Sequence, residues 1–310
     1  MNNDIYNNYI NKLDMDIVMQ KFLEIYKPSN NLVKPEQKFI DEAKKIVPKE
    51  IIDLWTKYGF GEYGNGIIKI VNPEEYMGIL YEWLGKEDFT KIPLIVDAFG
   101  DIFYYRYLGN GVNDISVIDI HYGEIQVCAY SYQEFFGKYI INFKANDIYL
   151  RIQLYSEAIN KCGKLAINEA YFFQPAIKTA GYEHINFVKK GDCKASQEFL
   201  FQLKLNEINL INKHNVNSSL MIINKVFQTE NGLTPILGNV IKGMLTIGDK
   251  ITIYRGDDQS FDGVIEKINV GKENINTIDV RDKVVIYLKN ISDNQIKNIN
   301  ILNRSILVKK

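Results

Sequence analysis

Cysteine and histidine are scarce in this sequence of 310 residues, long apolar runs are missing, and each shortage removes a class of protein. Cys128, Cys162 and Cys193 are odd in number and widely scattered, which excludes a disulfide framework and points to reduced, buried thiols. His121, His184 and His214 stand far from one another and from most of the cysteines. Cys193 and His184 lie close in sequence, and sequence alone shows neither the geometry nor the oxyanion donors that a nucleophile needs. No CxxC or HExxH spacing occurs, so no metal or cofactor is expected, and the histidines read as ordinary surface residues. No apolar stretch reaches the roughly 18 residues that span a bilayer. The opening MNNDIYNNYINKLDMD lacks the charged start and apolar run of a secretory signal, so a cytoplasmic protein without membrane partners is expected.

Neither sign of charge dominates. The chain holds 37 Lys/Arg and 38 Asp/Glu, a net charge of −1. From Val216 onward there are 13 Lys/Arg against 10 Asp/Glu, and before it 24 against 28. Neither part carries the basic stripe of a nucleic-acid reader, so nucleic acid is not an expected partner. The acidic excess of the first part favours a basic protein partner.

What is present is apolar and aromatic material, 46% and 12% of the residues, enough to bury a sizeable core. The length suggests two domains. The stretch Pro48 to Arg106 organises the first. A helix opens on Pro48, with Ile51, Leu54, Trp55 and Tyr58 on one face. Gly59, Gly61, Gly64 and Gly66 then break it. Ile67 to Val71 reads as a strand, and Asn72-Pro73 starts a second helix that runs to Leu84. Pro93 to Asp97 and Ile102 to Arg106 read as strands joined by Phe99-Gly100-Asp101. The Gly59–Gly66 loop follows a helix and precedes a strand, the reverse of a phosphate cradle, so its glycines serve positive φ in a tight loop.

The set Trp55, Gly59-Phe60-Gly61, Gly66, Val71-Asn72-Pro73-Glu74-Glu75-Tyr76, Trp83 and Ala98-Phe99-Gly100-Asp101 resembles the GAD-like domain. That resemblance implies a bacterial immunity protein, of the kind that neutralises type VI secretion DNase effectors. Farther on, Leu165, Asn168-Glu169, Tyr171, Phe173, Pro175-Ala176 and Gly181 resemble the C-terminal domain paired with the GAD-like domain in that family. Ala180-Gly181 stands where the family pattern has two glycines.

Around this frame, Met15 to Tyr26 predicts an amphipathic helix burying Ile17, Val18, Phe22 and Ile25, and Pro35 to Ile46 a second one. Ile115 to Ile120 and Ile125 to Ala129 predict a hairpin. Ser131 and Glu134 form a capping box, ahead of Phe135, Phe136 and Tyr139 on a core face. Asp147 to Lys161 predicts a helix with Leu150, Leu154 and Ala158 inward, and Lys194 to Leu203 another. Residues 1–205 thus read as one α+β module of helices and antiparallel sheet, with its GAD-like part at about 16–106 and its partner part at about 107–205. Asn206 to Ser219 reads as a polar linker.

Residues 220–310 read as a small all-β barrel, from short strands at Leu220 to Phe227, Ile236 to Ile241, Lys250 to Tyr254, Phe261 to Ile268 and Lys283 to Leu288. Gly238, Gly243 and Gly248-Asp249 are assigned to its corners. Val226-Phe227, Gly238-Asn239-Val240, Gly243, Leu245, Ile247-Gly248-Asp249, Ile265, Ile268, Asp282-Lys283-Val284 and Leu288 resemble the second-domain barrel of translation factors such as elongation factor Tu. Leu233-Thr234-Pro235 departs from the small-residue turn usual there, and no GxxxxGK[ST] loop accompanies the barrel, which argues against GTP hydrolysis.

Glu62, Asp97 and Asp101 are the candidate partner-binding residues, as an acidic cluster near the Ala98–Asp101 turn. The plainer alternative is that Asp101 fixes that turn through its side chain. No catalytic constellation is legible, and the expectation is a non-enzymatic immunity protein that occludes the active site of a cognate toxin, with nucleases among the candidates. Two rivals stand beside it: a translation-associated protein that binds RNA or the ribosome through the barrel, and an enzyme that reverses a toxin-made modification.

Overall fold

Apolar periodicity and glycine placement set most of the elements. In the computed structural model, residues 15–142, 150–179, 181–213, 219–227, 231–254, 260–279, 281–291 and 306–310 are described. Two compact units divide the chain: Met1–Gln174 with Glu183–Phe201, and Pro175–Tyr182 with Gln202–Lys310.

In the first unit, helices α1 (Ile17–Ile25), α2 (Gln37–Ala43) and α3 (Lys49–Lys57) precede strand β1 (Gly61–Tyr63). Pro48 stands at the N-cap position of α3, which begins one residue later than expected, and Ile51, Leu54, Trp55 and Tyr58 are buried as their spacing predicts. Gly59, Gly61, Gly64 and Gly66 all take positive φ, the conformation in which a side chain strains the backbone. Strand β2 (Ile68–Ile70) and helix α4 (Pro73–Leu84) follow, the latter capped by the Asn72 side chain and ended by a left-handed Gly85. Strands β3 (Lys91–Asp97), β4 (Ile102–Gly109), β5 (Val112–Asp119) and β6 (Glu124–Ala129) complete a six-stranded antiparallel sheet in sequential order.

The face of α1 is a correction. Met19, Phe22 and Leu23 are buried, while Ile17 is 61% exposed. The segment carries apolar residues on both sides, so periodicity alone did not select one. Ser131 caps the next helical turn by accepting from the Glu134 amide at 3.1 Å, and Glu134 reaches back to the Tyr130 amide at 2.8 Å. Phe135 and Phe136 are fully buried. Helix α5 (Ile152–Cys162) starts later than predicted, and residues 147–149 of that expectation lie outside the described residues. A two-stranded pair, β7 (Glu169–Phe173) and β8 (Val188–Asp192), leads into α6 (Cys193–Lys213). That helix runs through the first half of the expected linker, because a helix already begun gains one bond per added residue. Residues 214–218 of that linker and Ala180 lie outside the described residues. No described helix is long and apolar enough to cross a membrane.

The second unit holds a closed antiparallel barrel of β9 (Leu220–Val226), β10 (Thr234–Lys242), β12 (Lys250–Tyr254), β13 (Ser260–Val270), β16 (Arg281–Lys289) and β17 (Ile306–Lys309), with the short strands β11 (Leu245–Thr246), β14 (Glu273–Ile275) and β15 (Thr277–Ile278) beside it. The ring runs β12-β17-β9-β10-β16-β13 and closes through the β12–β13 pairing. Its interior is aliphatic, with Met221, Ile236, Val240, Ile251, Ile265, Ile286 and Leu307 all at or near zero exposure. The closing strand β17 was not anticipated from sequence.

Gly238 sits at no corner. It lies within β10, between two register shifts, where an added Cβ would meet the Ile222 carbonyl oxygen at 2.1 Å. The backbones of β9 and β10 therefore approach too closely there for any side chain. The Gly238→Ala variant is expected to lose about 1–3 kcal/mol of barrel stability, read as a lower denaturant midpoint, and an unchanged midpoint would contradict this packing.

Candidate functional site

The polar centre of the first unit is built on the turn between β3 and β4. Asp97 accepts the amides of Phe99 and Asp101 on Oδ1, each at 2.9 Å, and so holds the turn closed around Gly100 at φ 88°. The turn-fixing role assigned to Asp101 thus belongs to Asp97. Asp101 reaches outward, accepting the Ile120 amide at 2.9 Å on Oδ1 and Arg151 Nη1 at 2.7 Å on Oδ2.

Arg151 is the residue that sequence reasoning missed. It stands at the start of α5 with φ 50° and ψ 47°, a left-handed conformation that costs a non-glycine residue about 1–2 kcal/mol. Its side chain is 3% exposed and sits among four carboxylates. Besides Asp101, Nη2 meets Asp119 at 3.2 Å, Nε lies 3.3 Å from Glu183, and Nη1 is 4.0 Å from Asp97. The guanidinium also lies 5.4 Å from the centre of the Phe99 ring. Asp119 spends its other oxygen on the amides of His121 and Tyr122, which ties the β5–β6 turn into the same centre.

His121 is fully buried, a correction to its reading as a surface residue. Its Nε2 is 2.9 Å from the Phe99 carbonyl oxygen, and its ring packs edge-on against Phe173. His184 is exposed, and His214 lies outside the described residues. Burial, with Arg151 next, drives the His121 imidazole down to about 4, so it is neutral at physiological pH. Burial pushes the Asp97 carboxyl up to about 7, against the pull of Arg151, and raises Asp101 as well. Asp101 has donors on both oxygens, whereas Asp97 Oδ2 has no hydrogen-bond partner.

The proposed acidic surface of Glu62, Asp97 and Asp101 is therefore not what the fold presents. Asp97 and Asp101 are 1% and 2% exposed, because their carboxylates are consumed by the turn and by Arg151. Glu62 is half-buried on β1, paired in register with Lys69. Lys69 is itself buried and donates to the carbonyls of Ala166, Ile167 and Glu169, which pins the loop before β7.

A cleft of about 400 Å³ opens above the Arg151 centre. Asp101, Asp119 and Arg151 line it together with Phe103, Val117 and Gln126 of the sheet, and Tyr122 and Glu183 contribute further polar groups. The three thiols are free; Cys193 is buried, while Cys128 and Cys162 are only partly so. Burial pushes Cys128 up to about 12 and Cys193 to about 11, so both remain protonated and poorly nucleophilic. Among the described residues, no group of three His, Cys, Asp or Glu side chains is arranged to hold a metal ion.

Residues 17–117 carry a GAD-like domain, spanning α1 to most of β5. No curated protein matches the sequence. Among solved structures the chain is similar to Atu4351 from Agrobacterium tumefaciens, at 18% identity and a TM-score of 0.45, over 58% of this chain and 86% of that one. It is also similar to translation elongation factor SelB from Methanococcus maripaludis, in the apo form and in complex with the GTP analogue GppNHp. Both show 18% identity and a TM-score of 0.26, over 37% of this chain and 25% of that factor, so the chain spans a quarter of the factor's length.

Two outcomes follow from the Arg151 centre. Arg151→Met leaves buried carboxylates without their cation and is expected to lose about 3–5 kcal/mol in denaturant unfolding; a loss below about 1 kcal/mol would remove the ion cluster as a stabilising element. The pH dependence has opposing parts, with Asp101 acting in the same direction as Asp97. Asp97 has a raised folded pKa, so its contribution is complete below the unfolded carboxyl value of about 4 and is lost as pH rises through about 7. His121 has a lowered folded pKa, so its contribution is present above the unfolded value of about 6.5 and is lost as pH falls toward about 4. Removing Asp97 with Asn is expected to make stability climb more steeply with pH from about 4 to about 6.5 than in the wild type. An unchanged slope in urea titrations across that range would contradict the assignment.

Proposed function

We propose that the protein is a non-enzymatic immunity protein, which binds a cognate bacterial toxin in the producing cell and occludes its active site. The observation that carries this reading is the GAD-like domain at residues 17–117, which is consistent with the bacterial immunity proteins that the resemblance implies. The chemistry of the first unit supports it. The buried charged cluster of the first unit is paired within itself, with Arg151 held by Asp101 and Asp119. The thiols of Cys128 and Cys193 are held protonated by burial. Such groups are spent on structure, and a binding protein needs no others.

The acidic excess before Val216 suits a basic toxin, as many nucleases are, and steers association without adding much affinity. The second unit adds a barrel surface whose part in binding is open to the same test.

Expression of the neighbouring gene's product in a host, with and without this chain, checks the proposal. Growth arrest relieved by the chain, together with a complex that survives purification and associates more slowly as salt rises, is the expected result. Absence of both rescue and complex would overturn it.

A further inference from the structure

The six-stranded sheet has two edges, and they are treated differently. At β1 the edge is occupied by the incoming chain. Val33 and Phe60 exchange amide-to-carbonyl bonds of 2.8 and 2.7 Å, the Ser29 amide donates to Glu62 at 3.0 Å, and Gly64 donates to Lys27 at 2.9 Å. At β6, Ile125 to Val127 bond through the backbone to β5 alone among the described residues. The strand carries no proline and no lysine, two of the usual defences of an edge. Ile125 and Val127 are instead 43% and 41% exposed.

The two faces of β6 differ in chemistry. Side chains alternate along a strand, so Ile125 and Val127 present apolar surface on one side and Gln126 belongs to the cleft on the other. On the cleft side Glu124 lies directly opposite Asp119 in the register, and like charges in that position repel. Glu183 adds a third carboxylate at the cleft. Among the described residues lining the cleft the cation is Arg151, enclosed at 3% exposure and shared by Asp101, Asp119 and Glu183, so carboxylates outnumber it.

We propose that β6 is a docking edge, on which an extended segment of the partner adds as a further strand, with basic side chains over the Asp119–Glu124 side and apolar ones beside Ile125 and Val127. Main-chain hydrogen bonds supply affinity in this mode, and the alternating side chains supply selectivity. A second copy of this chain is disfavoured as the occupant, because edge-to-edge pairing sets two acidic faces side by side. The inference rests on the reading of the protein as a binder of a basic partner and names the surface it would use.

The test uses the full chain and a short capped peptide alternating lysine and valine, followed by fluorescence anisotropy and amide hydrogen exchange. Binding that slows exchange at Ile125 to Val127 is expected. The same peptide with alternate backbone amides methylated is expected not to bind, nor one with glutamate in place of lysine. The double variant Ile125→Lys/Val127→Lys alters only exposed positions and is expected to weaken binding by roughly tenfold or more while keeping the circular dichroism of the wild type. Equal binding by the double variant or by the methylated peptide would overturn the proposal. So would absence of binding, protection at another segment, or sedimentation showing a wild-type dimer that the double variant lacks. The two readings fail separately. If the wild type rescues growth and the double variant rescues equally well, docking at β6 is wrong and the immunity reading stands. If the wild type gives neither rescue nor complex, the immunity reading fails and the peptide experiment alone decides the docking edge.

Discussion

A guanidinium taken out of water must be given counter-charges, and the first unit is arranged around meeting that demand for Arg151. Its partners come from separate places in the chain: Asp101 after β3, Asp119 at the end of β5, and Glu183 between β7 and β8. Each carboxylate lies in or beside a turn, and the turns at Asp97 and Asp119 are additionally closed by their own amide-to-carboxylate bonds. The cation therefore fixes turns relative to one another that the hydrogen bonds of the sheet leave free. The left-handed backbone of Arg151 fits this account, since local strain persists where surrounding structure over-determines it.

The same constraint bears on what counts as a folding unit. The GAD-like domain ends at residue 117, two residues short of Asp119 and well before His121, Arg151 and Glu183. Asp97 and Asp101 lie inside that stretch and are buried. Cut there, they would lose their cation, and the Ile120 amide would no longer bond Asp101. The later elements lock the domain through backbone as well: the Tyr171 amide donates to Ala98, and Gln197 reaches the Gly100 carbonyl at 2.7 Å. Function assigned to the domain alone thus depends on residues that follow it.

How much of this could be read in advance depended on whether the signal was local. The four glycines from Gly59 to Gly66, the Asn72-Pro73 helix start and the Ser131 cap are local, and they were legible. Arg151 was not, because a single arginine at a helix start has no local signature and its partners are 32 to 54 residues away in the sequence, read from Asp119, Asp101 and Asp97. His121 was misplaced for the same reason: it sits in a polar-looking turn, and only the packing of Phe99 and Phe173 buries it. Strand β17 escaped notice because closing a barrel is a non-local event that a four-residue apolar run does not announce. At Asp97 and Asp101 the resemblance located the right turn, but exposure is a property of the tertiary fold, and so the acidic surface was assigned to residues that are interior.

Binding requires that something be left unsatisfied in the free protein, and the distribution of polar groups shows where that is. In the interior, Lys69 finds three carbonyls and Arg151 finds its carboxylates. At the β1 edge the main-chain groups find the 27–33 segment. The first unit fills one edge of its sheet from its own chain, yet leaves Ile125 and Val127 exposed along the other. Because an exposed edge also invites indiscriminate pairing, the neighbouring carboxylates of Asp119, Glu124 and Glu183 have a second consequence. They repel acidic strands, copies of this chain included, and so narrow the set of segments able to add there to basic ones.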